Sequence, residues 1–463
     1  MPIAIVLALL VVGSVLFHFL SPWWFTPIAS NWGAMDTTVN ITFWVTGAVF
    51  IVVNLFMAYA IVRFRHRPGA RAHYQPENTS LELGLTAITS IGVIAMLAPG
   101  LVVWAKFVDV PEAAAEVEVV GQQWHWSYRL PGEDGILGAS DARLITPDNP
   151  FGINAEDPHS ADDKLISSNI LHLPVNEPVQ TLLRSIDVLH NFTVPQFRVK
   201  MDLVPGHVSS MWFTPTRSGR FDVMCEELCG MAHHAMRGKV VVESRPAFEQ
   251  WLAQQPTFAE TQQQIADADP AAGKAQYAVC ASCHGPDGQG QKALNAPALA
   301  GQHGDYLKRQ LRYYKTGIRG ANEADEYGRQ MAPMAATLNS QAAINNVVAY
   351  IETLPATAAP HSIDGDAKRG QRLYRTCAAC HGADGQGNVL AKAPKLAGVA
   401  DWYLVRQLEN YKDGVRGGHA DDLYGQQMRL MARILKSETA IADVVAHINT
   451  LPGTPGQLAA RRP

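Results

Sequence analysis

Residues 225–236 read Cys-Glu-Glu-Leu-Cys-Gly-Met-Ala-His-His-Ala-Met, and this stretch decides how the rest of the chain is interpreted. Cys225 and Cys229 stand four positions apart, His233 follows after four more, and Met236 after another three. Thiolate, imidazole and thioether groups are soft ligands, which select copper over magnesium or calcium. The stretch therefore predicts a copper site on a short loop.

One more histidine is needed from elsewhere in the chain, and His190 is the best candidate. It follows a segment of apolar and β-branched residues, so we expect it to end a strand beside the loop. His234 has the wrong spacing and is interpreted as a bystander. Two other readings remain open, a structural zinc site and a disulfide between the two cysteines. A zinc site would not need the methionine.

The loop resembles the dinuclear copper loop (copper A) of cytochrome c oxidase subunit II. The resemblance implies that Cys225 and Cys229 bridge two copper ions, while His190 and His233 each cap one of them. It also implies two weak outer ligands, Met236 and the backbone carbonyl of Glu227. A site of this kind has no free position for a substrate and suits electron transfer.

Three apolar segments crowd the N-terminal quarter, at residues 3–20, 41–62 and 83–104. A helix needs about 20 apolar residues to cross a bilayer, so the second and third predict membrane spans. The first is interpreted as a retained span, with a cleaved signal sequence or an interfacial segment as the alternatives. Residues 1–111 therefore form the predicted anchor, in the lipid bilayer of the bacterial inner membrane.

Arginines between the second and third segments set the predicted orientation. Positive loops favour the cytoplasmic side, so everything after the third segment is expected on the periplasmic side. Glu82 stands at the mouth of that segment, where an acid is either a solvated helix end or a functional group. In the family, a glutamate at this place, followed four residues on by a threonine (here Thr86), opens a proton path into subunit I. The arginines are Arg63, Arg65, Arg67 and Arg71.

Residues 112–255 are the predicted copper domain. Short β-prone runs bounded by Pro, Gly and Asn, such as 117–120, 179–183 and 239–242, predict a β-sandwich or barrel. The resemblance makes it a cupredoxin-like Greek-key barrel with the copper ligands on loops at one end. Residues 130–168 are Asp-, Pro- and Gly-rich and are interpreted as an inserted surface loop of unassigned role.

The resemblance assigns further roles within the copper domain. The first tryptophan of Gln-Trp-x-Trp lies exposed near copper in the family and relays electrons, which corresponds to Trp124. The alternative is that Trp124 or Trp126 is an ordinary core aromatic. The usual tyrosine after it is His125 in this chain. The Glu227 side chain would bind a magnesium ion shared with subunit I, since carboxylates suit hard cations. Asp202 matches a family position near the subunit I interface, although both acids are open to a reading as ordinary loop residues.

The C-terminal part of the chain is an internal duplication. Two Cys-x-x-Cys-His motifs lie 97 positions apart, and Tyr-Gly-x-Gln-Met and Ala-Pro-x-Leu-Ala-Gly segments repeat at the same offset. Such motifs are typical of c-type haem attachment, with the histidine as the proximal iron ligand. The motif residues are Cys280, Cys283 and His284 in the first copy, and Cys377, Cys380 and His381 in the second.

Each copy needs a second axial ligand, and methionine in that place raises the potential and closes the iron to substrate. The copies resemble the halves of di-haem cytochromes c, where the first methionine of a Met-x-x-Met pair is the ligand. This implies Met331 and Met428, with Met334 and Met431 packing in the haem pockets. We expect all-α cytochrome c domains at 256–357 and 362–455, the first preceded by a linker, and amphipathic helices at 305–315, 341–353, 401–412 and 440–450.

Taken together, the sequence predicts a multidomain membrane protein: transmembrane helices, a cupredoxin-like β-barrel and two cytochrome c domains. It resembles subunit II of a bacterial haem-copper cytochrome c oxidase (caa type). Electrons would pass from cytochrome c or another donor through two haems c to copper, and on to a separate subunit I that reduces oxygen and pumps protons. The net charge of −4 suggests no nucleic-acid partner.

Three rival functions are weighed against this one. A quinol oxidase subunit II should lack the copper cysteines, so their presence argues against it. A copper-A-containing nitric oxide reductase subunit is the first alternative, because the partner subunit sets the chemistry. A free-standing membrane electron-transfer protein is the second.

Overall fold

The computed structural model describes residues 2–21, 26–69, 71, 76–166, 168–356 and 359–452. Three long apolar helices begin the chain, and each is long and apolar enough to cross a membrane: α1 (Pro2–Leu20), α2 (Gly33–Arg63) and α3 (Thr79–Val108). Each predicted span falls within one of these helices. Most of their apolar side chains are exposed, as expected of a surface that faces lipid or partner helices.

The outer ends of α2 and α3 are attached to the β domain that follows. The indole N–H of Trp32 donates to the carbonyl oxygen of Trp212 at 3.0 Å, and the indole N–H of Trp212 donates to the carbonyl of Lys106 at 3.1 Å. Arg198 Nε pairs with Asp36 at 2.6 Å. The start of α2 and the end of α3 are therefore on the same side as the β domain, which agrees with the arginine-rich loop lying on the opposite side.

The β domain is a sandwich of two five-stranded sheets, in the orders β3-β2-β1-β5-β8 and β4-β10-β9-β6-β7. The family resemblance predicted a barrel, and the general strand pattern allowed either form. Burial alternates along β5, which places one face in the core. The strands are β1 (Ala115–Gln122), β2 (His125–Leu130), β3 (Lys164–Ile166), β4 (Ile170–Pro174), β5 (Val179–Ser185), β6 (His190–Val194), β7 (Val199–Leu203), β8 (Ser209–Phe213), β9 (Gly219–Met224) and β10 (Arg237–Glu243).

The sheet register brings the two halves of the predicted copper site to one end of the sandwich. β9 pairs antiparallel with both β6 and β10, and the loop at 225–236 connects β9 to β10. His190 is the first residue of β6, so the expectation that it ends a strand was wrong. The apolar residues before it form a turn after β5. The ring of His190 faces the loop equally well from the first position of β6.

The inserted segment at 130–168 is fastened to the sandwich by buried charges. Arg129 Nε donates to Glu118 at 2.5 Å and Arg129 Nη1 to Asp163 at 2.8 Å, while Arg184 pairs with the second oxygen of Glu118. Arg184 Nη2 also donates to the carbonyl of Phe151, in the insertion, at 2.8 Å. Since a buried charge is costly without a partner, this network stabilises the insertion in one position.

The stretch at 254–272, expected to be a linker, contains the short helix α5 (Phe258–Ala266), which packs on the insertion. Phe258 lies in a buried cluster with Val120, Phe151 and Ile153. Thr257 and Glu260 form a capping box at its start. The far end of α5 contacts the first haem domain. The insertion therefore contacts the segment that connects the copper domain to the first haem domain.

The two haem domains repeat one helical arrangement. In each, the first helix crosses the last at a glycine, where an added Cβ would lie 1.9 Å from a backbone oxygen. The four predicted helices are confirmed to within two residues, and the second domain's expected end at 455 lies outside the described residues. The helices are α4 (Arg245–Ala253), α5 (Phe258–Ala266), α6 (Pro270–His284), α7 (Gly304–Lys315), α8 (Glu326–Ala336), α9 (Gln341–Thr353), α10 (Ala367–His381), α11 (Asp401–Asp413), α12 (Leu423–Ala432) and α13 (Glu438–Ile448).

Candidate copper and haem sites

The loop between β9 and β10 gathers the predicted copper ligands. The sulfur atoms of Cys225 and Cys229 are 3.7 Å apart, and Cys225 Sγ lies 3.9 Å from His190 Nδ1. Cys229 Sγ lies 3.5 Å from His233 Nδ1 and 3.8 Å from Met236 Sδ. All but His233, which is half-buried, are buried, so the structure brings the whole predicted set together.

The donor set fits copper better than the two simpler readings. A disulfide needs a sulfur–sulfur distance of about 2.05 Å, so the two free thiols are not joined. A structural zinc site explains the cysteines and histidines but not the buried thioether beside them. The carbonyl oxygen of Glu227 is 3.2 Å from Cys225 Sγ, which is where the family resemblance expected an outer ligand.

Hydrogen bonds around the loop prepare these groups to bind a metal. Asp187 Oδ1 contacts His190 Nε2 at 2.8 Å, which leaves Nδ1 facing the thiols. Burial lowers the pKa of His190, but the Asp187 carboxylate and the Cys225 thiol more than offset it and raise the pKa overall. The hydrogen bond from Cys229 lowers the pKa of Cys225 although burial opposes it. A thiolate is therefore favoured at this site.

Trp124 lies directly behind the copper loop. Its indole N–H donates to the carbonyl oxygen of Cys229 at 3.0 Å, and Gln123 Nε2 donates to the same oxygen at 2.8 Å. The resemblance implied an exposed tryptophan, but Trp124 is only 4% exposed because the second haem domain covers it. Sequence reasoning could not foresee this cover, which comes from residues about 300 positions away.

The remaining acids assigned by resemblance lie apart from the thiols. The Glu227 side chain is half-buried, and Asp202 Oδ1 accepts from Asn191 Nδ2 at 2.6 Å. In the part of the chain that the structure describes, the one cluster of His, Cys or acid groups close enough to share a metal is His190, Cys225 and Cys229. Glu82 is exposed in the first turn of α3, one helical turn before Thr86. That position leaves it accessible to a neighbouring subunit.

Each Cys-x-x-Cys-His motif ends the first helix of its domain. His284 Nδ1 contacts the carbonyl oxygen of Pro297 at 2.8 Å, and His381 Nδ1 contacts that of Pro394 at the same distance. Such a bond fixes the ring and leaves Nε2 available to a metal. Burial lowers the pKa of both histidines, although the carbonyls oppose it, so the neutral ligating form is favoured.

Opposite each motif lies the helix that carries the candidate methionines, α8 or α12. The cavity that both motifs border is also lined by Met331, Met334, Met428 and Met431. Met331 is half-buried, whereas Met334 is 37% exposed, which favours the first methionine of the pair in that copy. The mostly apolar lining fits a haem in each copy.

The interface between the two haem domains contains a paired network that the sequence did not reveal. Arg416 Nη2 donates to Tyr306 Oη at 2.9 Å and to Gln310 Oε1 at 2.8 Å. The equivalent Arg319 donates to Tyr403 Oη at 3.3 Å and to Gln407 at 3.2 Å. Among the described residues no carboxylate pairs with either buried guanidinium group. The shared offset of 97 positions was the available signal, because all three residue types repeat at that spacing.

Comparison with known proteins supports this division of the chain. Residues 115–245 match the family described as cytochrome C oxidase subunit II, periplasmic domain. Residues 270–355 and 367–452 each match the family described as cytochrome c. The apolar helices, the sandwich and the duplicated helical domains agree with the predicted fold class.

Individual relatives agree with both halves. The chain is 59% identical over 259 residues to the alternative cytochrome c oxidase subunit 2 of Bradyrhizobium diazoefficiens, which covers 56% of this chain and 94% of the relative. It is 33% identical over 198 residues to cytochrome c4 of Azotobacter vinelandii, an alignment that covers 40% of this chain and 89% of the relative. The solved reduced cytochrome c4 of Pseudomonas stutzeri is 32% identical, with a TM-score of 0.34, covering 40% of this chain and all of that one. The chain belongs to the cytochrome c oxidase subunit II family.

Proposed function

We propose that this chain is the electron-receiving subunit of a respiratory haem-copper cytochrome c oxidase. It delivers electrons from its cytochrome c domains, through a copper centre, to a separate subunit I that reduces oxygen to water with proton pumping. The observation that carries this proposal is the set formed by two free thiols, His190, His233 and Met236, all buried except the half-buried His233, with a haem domain packed against the same core. This arrangement has no opening for a substrate and suits electron transfer.

The copper ligands would be the residues that the loop gathers. Cys225 and Cys229 would bridge two metal ions, and His190 and His233 would each bind one. A copper centre held by these residues would supply one-electron transfer with little change of structure. Asp187 orients the ring of His190 and favours ligation through Nδ1. Met236 and the carbonyl of Glu227 would be the weak outer ligands.

The haem domains would each hold one haem c. Cys280, Cys283, Cys377 and Cys380 would form the thioether bonds, His284 and His381 the proximal ligation, and Met331 and Met428 the distal ligation. Methionine ligation keeps the iron closed and its potential high. Arg319 and Arg416 are buried and line the same cavity, so they would supply positive charge to the haem carboxylates.

Three further roles rest on the resemblance and on position. Trp124 would relay electrons, because its indole contacts the carbonyl of Cys229. Glu227 would bind a magnesium ion together with subunit I. Glu82 would admit protons into that subunit, and near-normal turnover of Glu82→Ala in the assembled oxidase would contradict this. The anchor would lie in the bacterial inner membrane, with subunit I and other oxidase subunits beside it.

The decisive experiment counts metals in the purified, membrane-extracted complex. We expect two copper ions that share one unpaired electron by EPR, and two low-spin haems c by optical spectroscopy. Cys225→Ser should abolish the copper signal while both haems remain, and His234→Ala, at an exposed neighbouring position, should leave it unchanged. Consumption of oxygen rather than nitric oxide would separate this function from its first alternative.

Two outcomes would overturn the proposal. One is a single mononuclear copper in the parent complex. The other is a disulfide between Cys225 and Cys229 in the protein as isolated. Purification without any partner subunit would favour a free-standing electron-transfer protein instead.

A further inference from the structure

The two haem domains expose equivalent faces to different degrees. In the second domain, Cys380 and Met431 pack against the core of the copper domain. Their counterparts 97 positions earlier are Cys283 and Met334. Both are exposed, and the exposed fraction of Met334 is 37%. The same face of a duplicated domain is therefore covered in one copy and open in the other.

The covered face makes specific contacts with the copper domain. Gln427 Nε2 donates to the carbonyl oxygen of Trp124 at 2.5 Å. The rings of Tyr424 and His125 meet edge to face, with centroids 5.8 Å apart. At the rim, Arg220 pairs with Asp421 at 2.7 Å. This face is where the second haem domain meets the residues that lead to the copper loop.

The open face of the first domain repeats the same elements. Gln330, the counterpart of Gln427, is exposed and borders the haem cavity. Two larger apolar residues border the same cavity, Val279 at 47% exposure and Leu294 at 49%. The equivalent residues of the second domain are Thr376 and Ala391, and both are half-buried. An exposed apolar rim around a cofactor pocket commonly marks an interaction site.

We propose that this open face, formed by Val279, Cys283, Leu294, Gln330 and Met334, is where an external electron-carrier protein docks. The proposal rests on the proposed function and adds the order of the two haem domains. The reduced carrier is oxidised by one electron at the first domain. The electron crosses to the second domain and leaves through its covered face to the copper domain. No proton moves and no bond is made or broken in these transfers.

The chemistry of the face identifies its occupant. The five residues are uncharged, and the copper domain presents the uncharged Trp124 and Ala232 to the same cavity. The contact between the second haem domain and the copper domain serves as the analogy for the contact at the open face. The partner is therefore a one-electron carrier with apolar side chains around the exposed edge of its cofactor. Such a contact depends on apolar burial, so its association rate should change little with salt.

The test measures binding of a soluble monohaem cytochrome c to the purified complex. Leu294→Glu places a charge on the proposed face, and Leu144→Glu places the same charge at an exposed leucine of the inserted segment, 41% exposed. We expect Leu294→Glu to raise the Kd about tenfold, equivalent to about 1.4 kcal/mol. Leu144→Glu should leave the Kd as in the parent. Gln330→Glu is the second variant, and every complex compared must hold the parental haem content.

Oxygen consumption provides an independent test. We compare the rate with the cytochrome as electron donor to the rate with a small diffusible reductant, which needs no protein docking. The ratio of the first rate to the second should fall about tenfold in Leu294→Glu. Three outcomes would overturn the proposed docking face. The Kd could be unchanged in both face variants, or Leu144→Glu could weaken binding as much as they do. A cross-link could also join this face to a fixed oxidase subunit or to a second copy of the chain. Absence of oxygen consumption with the small reductant in the parent would instead contradict the proposed function.

Discussion

The two haem domains share an interior and differ in their surroundings. Each buries a tyrosine that donates to a glycine carbonyl just after the haem motif, Tyr277 to Gly285 at 2.8 Å and Tyr374 to Gly382 at 2.9 Å. Together with the matching histidine–proline contacts, these bonds surround the haem pocket. The pocket constrains these contacts in both copies alike, so the duplicated domains share them.

The surfaces differ where the neighbours differ. The second domain presents smaller residues to the cavity rim that the copper domain covers, where the first has Val279 and Leu294. At another position, Asn346 of the first domain accepts from the backbone N–H of Asp269 at 2.9 Å, and Asp443 of the second accepts from Asp366 at 2.8 Å. The comparison teaches that contacts around the haem are common to both copies, whereas the face toward the copper domain and the contact at the start of the first helix distinguish them.

The strongest test of the shared interior is the helix crossing. Gly273→Ala and Gly370→Ala would each place a methyl group 1.9 Å from the backbone oxygen of Asn346 or Asp443. Because backbone must move to relieve this overlap, we expect each to destabilise its own domain by about 3 kcal/mol. Hydrogen exchange of α9 and α13 measures the free energy of local unfolding in each domain.

Matched controls exist for both glycines. Lys274→Ala and Gln371→Ala change the exposed residue that follows each glycine and should have little effect. Tolerance of alanine in one copy but not the other would show that the interiors are not equivalent.

The next largest effect is expected at the methionines. Met331→Leu and Met428→Leu should each lower the potential of one haem by at least about 59 mV, a tenfold change in a one-electron equilibrium. The physical reason is loss of the thioether ligand, which stabilises reduced iron. Redox titration with optical detection measures this. Met334→Leu and Met431→Leu are the controls, and a larger fall in these would assign ligation to the second methionine instead.

The local parts of the sites could be predicted from sequence. The copper loop holds five of its candidate ligands within 12 consecutive residues, and each haem motif occupies five residues. The helices around the haems follow from the spacing of apolar residues, as at Leu307 and Leu404, both buried. Ligand chemistry and helical periodicity are short-range properties, so they can be read without a structure.

What could not be predicted depends on contacts between distant segments. The burial of Trp124 comes from Gln427 and its neighbours, and the paired network of Arg319 and Arg416 exists only where the two haem domains meet. His190 was chosen correctly as the residue facing the loop, but on the wrong end of a strand, because short strands lack sharp boundary signals. The fold of the insertion depends on buried charges such as Arg129, whose partners composition does not identify.

The smallest predicted effect is a difference in acid sensitivity. Asp443 is buried and accepts from Arg369, and that hydrogen bond lowers the pKa of Asp443 although burial opposes it. Its stabilising contribution is therefore present above the unfolded pKa of about 4 and is lost as the pH falls through the lower folded value. The first domain has the uncharged Asn346 at this position. Since Arg369 is half-exposed, we expect the effect to be modest.

Hydrogen exchange at α13, measured from pH 5 down to about pH 3, checks this expectation. Asp443→Asn should remove the part of the acid sensitivity that the parent second domain shows and should leave α9 of the first domain unaffected. A parent and variant with the same pH dependence would mean that the Arg369 contact does not distinguish the copies. The remaining difference between the domains would then include the equivalent face, which the copper domain covers in the second copy and which the docking experiment tests in the first.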